Sequence, residues 1–432
     1  MSYKRMTSLC VGCGACLGVC PKNAIHIENK KGLLTVSFNP EKCVNCFKCV
    51  KICPVLSNLQ TVKPNFHDAL GKIKKVFFGY STNNNLRYNG ASGGIVTSLL
   101  LYMLQHKLVD KVLVVRMEGF TVKPLLTGNE DEVISAQGSI YFKTFSLRIL
   151  QDIIHNIKKG KRLGIVGLPC QISTLKKRLK NYENKTFFIG LICNHTNEYW
   201  YMHHIIERYL PKNTKPLGIS ARKDGWPGTI KILFKSKNQN PKETRIDYNT
   251  QFWGLLPSLG ISAPSGCLIC TDHLASKADI VAADAWHPKY VGNDVLGVSI
   301  ILVRTEKGLK LIKSALKNKW LNVEEAKLLD LFISQSHNII ETIEYAPFRQ
   351  KLIQHPTNTI GELREIDKTI TALILIANRH LIKHRIIRRM LNTKIIEKLL
   401  QIILWHLSLH ESIRLRKCLK NAVFQKEKRK LG

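Results

Sequence analysis

Carboxylates are the scarce residues of this chain: 31 Asp and Glu stand against 66 Lys and Arg in 432 residues, a formal charge of +35. A surplus of that size argues against basic partners and directs attention to acidic ones, such as nucleic acid, anionic lipid, an acidic redox protein or a phosphorylated cofactor. Also missing is any uninterrupted apolar run of the roughly 18 to 20 residues that a membrane-spanning helix needs. The opening "MSYKRMTSLC" lacks the apolar stretch of a secretory signal. With 44% hydrophobic residues a sizeable core is within reach, and the length suggests two or three domains at about 150 residues each. Cysteine is not scarce, at thirteen, but its spacing is that of metal ligands and not of a disulfide framework. A reducing cytoplasm is the expected setting.

Eight of those cysteines fall in two matched runs, "CVGCGACLGVCP" from Cys10 and "CVNCFKCVKICP" from Cys43. Each reads C-x2-C-x2-C-x3-C-P. Three thiolates two residues apart wrap three corners of a 4Fe-4S cube, and in two-cluster ferredoxins the fourth cysteine of each run ligates the other cluster. The expected sets are Cys10, Cys13, Cys16 and Cys53 for one cluster, and Cys43, Cys46, Cys49 and Cys20 for its twin. Pro21 and Pro54 end the runs by fixing the backbone and removing a donor, while Gly12, Gly14 and Ala15 are small enough to let backbone N–H groups approach the sulfurs. Paired zinc sites would instead show two CxxC pairs across a longer spacer.

Five cysteines remain. Cys170 in "GLPCQ", Cys193 in "GLICNH", and Cys267 and Cys270 in "SGCLICTD" lie in turn-like contexts. Such turns at the ends of apolar strands present side chains at the carboxyl edge of a sheet, where α/β proteins keep their sites. Four thiolates suffice for a third 4Fe-4S cluster, although singly Cys170 and Cys193 also suit a role as small core residues. Cys418, in the basic "RLRKCLK", is left over.

Around these motifs the chain reads as an N-terminal bacterial-type ferredoxin module (1–58), a polar linker, and an alternation of strand and helix over 75–212. That alternation includes "KVFFGY", "GGIVTSLLLYMLQH", "RLGIVG" and "KTFFIGLIC", with one long helix expected over 144–160. Apolar strands between amphipathic helices predict a parallel sheet covered on both faces, an α/β domain. Shorter extended pieces such as "TIKILFK" and "VSIILVR" predict an α+β unit over 213–350. Residues 351–432 form a basic helical extension with 18 basic and 6 acidic residues. Its apolar run "IIEKLLQIILWHLSLH" must dock on the body, on a partner or in a membrane interface.

From about Lys75 to Ser336 the chain resembles the coenzyme F-420 hydrogenase/dehydrogenase beta-subunit family. The resemblance is carried by "NGASGGIVTSLL", "GIVGLPCQISTL", "FIGLICNH", "ISARKDGWPG" and "CLICTDHLASKADIVAADAW". It implies FAD beside the iron–sulfur clusters, a central flavin-binding α/β domain, and an oxidoreductase in which the flavin exchanges hydride chemistry for single electrons. Ferredoxin, another redox subunit or a reduced deazaflavin is the implied electron partner and a small organic molecule the implied substrate, with surface-polysaccharide biosynthesis among the settings of similar chains. The alternative is a non-catalytic electron-transfer subunit of a larger complex.

Ser92, Gly93 and Gly94 open a helix whose free N–H groups suit a pyrophosphate, though the same residues also make an ordinary N-cap turn. In "AQGSIYFKT", Ser139 and Tyr141 are candidate hydrogen-bonding groups and Lys143 a candidate cation near the flavin. Ile140 stands where the family more often has lysine, and Ala283 where it has glycine. Asp284 either orients a neighbour or binds substrate. Arg222 and Lys223 either admit an acidic substrate or belong to a surface hairpin, and His195 is either a proton donor or a packed residue. Charge alone suggests nucleic acid, which is not the expected partner.

Overall fold

A computed structural model describes residues 2–59, 69–237, 239–247, 257 and 260–354. Most of the expected linker and, beyond residue 354, the basic extension lie outside them. The chain opens with an antiparallel hairpin, β1 (Ile25–Lys30) and β2 (Leu33–Phe38), flanked by short helices that carry the cysteine runs. It continues through β3 (Lys75–Ser81), β4 (Lys111–Glu118), β5 (Thr121–Thr127), β6 (Leu163–Gly167) and β7 (Thr186–Leu191). A three-stranded meander follows, formed by β8 (Thr214–Lys223), β9 (Thr229–Ser236) and β10 (Lys242–Asp247), and then β11 (Ile280–Asp284), β12 (Ser299–Val303) and β13 (Leu321–Ala326). Among the described residues no helix is long and apolar enough to cross a membrane.

β3–β7 and β11–β13 form one eight-stranded sheet in the order β13-β3-β12-β11-β7-β6-β4-β5. The central strands β4, β6, β7 and β11 are parallel, and antiparallel strands close both sides. The near-continuous apolar character of the strands follows from burial on both faces. Along β12, Ile300 and Leu302 face one core and Ile301 and Val303 the other, as the two-residue period of a strand dictates. Helix Ile95–Gln105 covers the second face and helix Leu150–Lys158 the first. The mixed α/β class is as the sequence predicts. The expected separation at 212–213 is corrected: strands from both halves share this sheet, because β11 and β12 insert between β7 and β3.

The ferredoxin-like module is seated directly on the body. The expected helix over 144–160 is interrupted at its start, with Phe145 in the left-handed region (φ 46), a 3-10 turn over Ser146–Ile149 and the helix proper from Leu150. The first amides of a helix have no partner within it, and here the amides just ahead of it are taken by the module. Phe145 N donates to Gly12 O at 2.7 Å and Leu147 N to Cys13 O at 2.9 Å. A Cβ on Gly14 would stand 2.5 Å from the Phe145 carbonyl oxygen, so the glycines serve this contact. Lys143 completes it: its Nζ, 3% exposed, donates to Leu34 O of β2 and to Glu198 Oε1, each at 2.6 Å. Removing one partner of such a buried pair leaves an uncompensated charge. Lys143→Met is therefore expected to cost about 3–5 kcal/mol, read as a lowered unfolding midpoint of the reconstituted protein, with Lys143→Met/Glu198→Leu recovering most of the loss.

Candidate functional site

The cysteines of the module gather in two neighbouring groups, with Cys49 of one near Cys16 of the other. Cys20, Cys43, Cys46 and Cys49 line one cavity. In the other set burial pushes the Cys13 thiol up, and the nearby Cys53 and Cys10 push it further. Cys16 is raised by burial and then by Cys13, Cys10 and Cys53. Among the described residues no three Cys, His, Asp or Glu side chains converge closely enough to hold a single ion. Cys20, Cys43, Cys46 and Cys49 instead ring the open space of their cavity, an arrangement that suits a cluster.

Cys170, Cys193, Cys267 and Cys270 line a small cavity of about 40 Å3 together with Val11, Gly12, Pro54 and Val55 of the module. Their positions follow from the sheet. Cys170 stands in the first turn of helix Pro169–Arg178 just past β6, where Pro169 starts the helix and the Gln171 side chain accepts from Leu168 N at 2.8 Å. Cys193 lies just past β7, its amide held by the His273 carbonyl at 3.0 Å. Cys267 and Cys270 come from a tight turn closed by Cys270 N donating to Cys267 O at 3.0 Å. Burial pushes all four thiols up, Cys270 to about 12. Four half-buried thiols that repel one another as thiolates suit a cationic iron core, which would offset both effects.

A larger cavity of about 360 Å3 opens beside it at the carboxyl ends of β6, β7 and β11, within the size range of cofactor sites. The two cavities share walls at Thr144, Leu168, Gln171, Cys193, His195 and Thr196. Ser92, Gly94, Ser139 and Tyr141 line the larger one, as does Asp284. Gly94 is the left-handed N-cap (φ 72) of helix Ile95–Gln105, and no side chain caps its first turn. Ile95, Val96 and Thr97 line the cavity, so uncapped amides meet it at the positive end of the helix.

Other expected site residues are placed elsewhere. Gly93 does not line the cavity: its amide donates to Ser299 Oγ at 3.1 Å, and a Cβ would stand 2.6 Å from Gly79 O, so its smallness serves packing on the sheet. Lys143 is consumed by the module contact described above and does not reach the cavity. Arg222 lies at the end of β8 in the β8–β9 hairpin, but its side chain is turned inward and not to the surface. It is 1% exposed, donates to Tyr141 Oη at 3.0 Å and Ala91 O at 2.6 Å, and pairs with Asp284, which also accepts from Trp226 Nε1 at 2.7 Å. Asp284 thus orients neighbours, and Arg222 is not left over for an acidic substrate. His195 is half-buried, with Nδ1 facing Thr196 O at 2.9 Å and Nε2 facing Pro257 O at 2.7 Å, so both nitrogens are engaged by backbone carbonyls. Sequence reasoning missed Gln171, whose Nε2 donates to Thr144 Oγ1 at 3.1 Å across the shared wall. The residue after the cysteine in "GLPCQ" was its only signal.

The coenzyme F420 hydrogenase/dehydrogenase beta-subunit N-terminal region matches residues 76–151 and its C-terminal counterpart residues 160–328. The chain belongs to the coenzyme F420 hydrogenase/dehydrogenase beta-subunit family. A 4Fe-4S dicluster domain matches residues 9–56, making this family member an iron–sulfur protein of electron transfer. It is 25% identical over 366 residues to an uncharacterised protein of Methanocaldococcus jannaschii, covering 75% of this chain and 93% of that one. It is 26% identical over 245 residues to the coenzyme F420 hydrogenase subunit beta of Methanococcus voltae, covering 55% and 79%. A chain of the F420-reducing nickel–iron hydrogenase complex from Methanosarcina barkeri aligns at 20% identity with a TM-score of 0.49, covering 71% and 98%. Two of these three names carry F420, where the resemblance implied FAD.

The placement of Gly93 is open to a direct check. Gly93→Ala is expected to destabilise the fold by about 1–3 kcal/mol through overpacking, seen as a lower unfolding midpoint. An unchanged midpoint would show that the residue faces open space after all.

Proposed function

We propose that the chain is the electron-transfer subunit of a larger redox complex, with a relay of iron–sulfur sites that ends beside a flavin-type ring in the 360 Å3 cavity. The observation that supports this reading is the run of shared walls. Residues next to Cys10, Cys13 and Cys53 wall the third four-cysteine cavity, and that cavity in turn shares Leu168, Gln171 and Cys193 with the large one. When bound, the clusters supply single-electron carriage and a flavin-type ring exchanges single electrons for hydride chemistry.

The chain's own residues have the following parts. Cys43, Cys46, Cys49 and Cys20 hold the outer cluster, Cys10, Cys13, Cys16 and Cys53 the inner one, and Cys170, Cys193, Cys267 and Cys270 a third. FAD is the proposed resident of the cavity, because a pyrophosphate suits the uncapped amides at Ile95–Thr97. Ser92 fixes the loop before them by donating to Val298 O at 2.8 Å. Arg222, held by Asp284, positions the Tyr141 hydroxyl at the rim, and apolar strand ends exclude water beneath. A deazaflavin coenzyme as exchange partner rests on the relatives' names.

Anaerobic purification with iron counting and flavin release tests the scheme. Wild type is expected to carry about twelve irons and one FAD, and Cys170→Ser about eight with the module's own signals intact. An iron content near eight in fully reconstituted wild type would remove the third cluster. Thr97→Asp places an anion at the uncapped helix start, where it favours the helix but repels phosphate. It is expected to lose FAD at unchanged iron content, and stoichiometric FAD in that variant would move the pocket elsewhere.

A further inference from the structure

The two cysteine runs share one backbone shape but meet different surroundings. Gly12 and Gly14 have φ of 71° and 84°, and their counterparts Asn45 and Phe47 have φ of 50° and 55°. A five-residue helix follows each, Ala15–Val19 and Lys48–Ile52, with the same amide bonds to the residue before it. In the first run this face is seated on the body, and its Gly12 and Cys13 carbonyls accept from Phe145 and Leu147. In the second run the Asn45 and Cys46 carbonyls carry no such bond among the described residues, Cys46 is exposed, and Val44 and Phe47 are 56% and 45% exposed. A bulky side chain in the left-handed region is an outlier, and here it holds an aromatic ring outward, stacked on Tyr3.

We infer that this second face is a docking surface for a small acidic one-electron carrier protein of the ferredoxin type, which approaches the Cys20/Cys43/Cys46/Cys49 site as the body approaches its twin. The inference rests on the relay reading above. Lys22, Lys42 and Lys48 rim that cavity and, among the described residues, no carboxylate lines it; all three lysines are exposed. A basic rim with a two-residue apolar centre suits a transient electrostatic encounter. A permanent subunit interface would be larger and more apolar and would avoid lysine. The exchange is a single electron: the carrier is oxidised by one, the iron–sulfur site is reduced by one, and no bond forms or breaks.

The test is calorimetric binding of an oxidised, acidic plant-type 2Fe-2S ferredoxin to the iron-loaded full chain. Wild-type affinity is expected to fall about tenfold or more between about 50 and about 300 mM NaCl. At the lower salt, Lys22→Glu/Lys42→Glu/Lys48→Glu should lose about tenfold or more. Lys310→Glu/Lys313→Glu/Lys317→Glu, on the exposed side of helix Glu306–Lys317, has the same net charge and should bind as wild type. Phe47→Gly keeps the left-handed backbone and should weaken binding several-fold with iron content unchanged. Equal losses in the two triple variants would reduce the effect to total charge and overturn the proposal. Wild-type affinity in the rim variant, or a salt-insensitive complex of the permanent kind, would also overturn it. Failure of the relay reading would appear separately, as iron missing from the unmodified chain.

Discussion

A few peptide groups between Lys143 and Leu147 fix where the rest of the redox apparatus sits. Their amides and the Lys143 ammonium bind the cysteine-bearing module through backbone atoms, at separations where Gly12 and Gly14 admit no side chain. Thr144, in the same stretch, lines both the small and the large cavity. One segment therefore sets the module against the body and forms part of the partition between the two cavities. Electron tunnelling weakens steeply with distance, so a rigid backbone contact is a suitable way to hold such sites in place. The buried Lys143–Glu198 pair fits that purpose: it adds little net stability against an apolar substitute, but breaking it is costly.

The eight-stranded sheet contributes direction. Its parallel centre brings the carboxyl ends of β6, β7 and β11 to one edge, where Cys170 and Cys193 follow β6 and β7 and Asp284 ends β11. The meander closes the rim from outside, because Arg222 at the end of β8 reaches Asp284 at the end of β11 and Ala91 before the helix. A single buried guanidinium thus joins two sheets and a helix start around the cavity.

The scarcity of carboxylates is explained by where some of them go. Asp279 is fully buried, accepts from Phe188 N at 2.8 Å and Thr305 Oγ1 at 2.9 Å, and pairs with Lys307. Glu198 and Asp284 are similarly committed, and Glu341 pairs with Arg349. With these acids used inside, lysines dominate patches of the surface. The charge read from composition becomes a local feature where Lys22, Lys42 and Lys48 surround exposed Cys46.

The sequence by itself determined what depends on local spacing. The tight cysteine runs, the strand periodicity and the glycine-opened helix each specify a short element whose geometry is set within a few residues. Reading them gave the module, most strands of the sheet and a cavity lined by Ser92, Gly94, Ser139 and Tyr141. What only the tertiary structure decided involves groups far apart in the chain. Local pattern cannot tell a lysine facing a cofactor from one, such as Lys143, whose ammonium is claimed by Leu34 and Glu198. Nor can it tell a glycine opened to phosphate from one, such as Gly93, pressed on Gly79. The convergence of Cys170, Cys193, Cys267 and Cys270 likewise needed β11 and β12 to insert beside β7 and β3. Strand order is set by burying both faces of the whole sheet at once, a balance that no single segment carries.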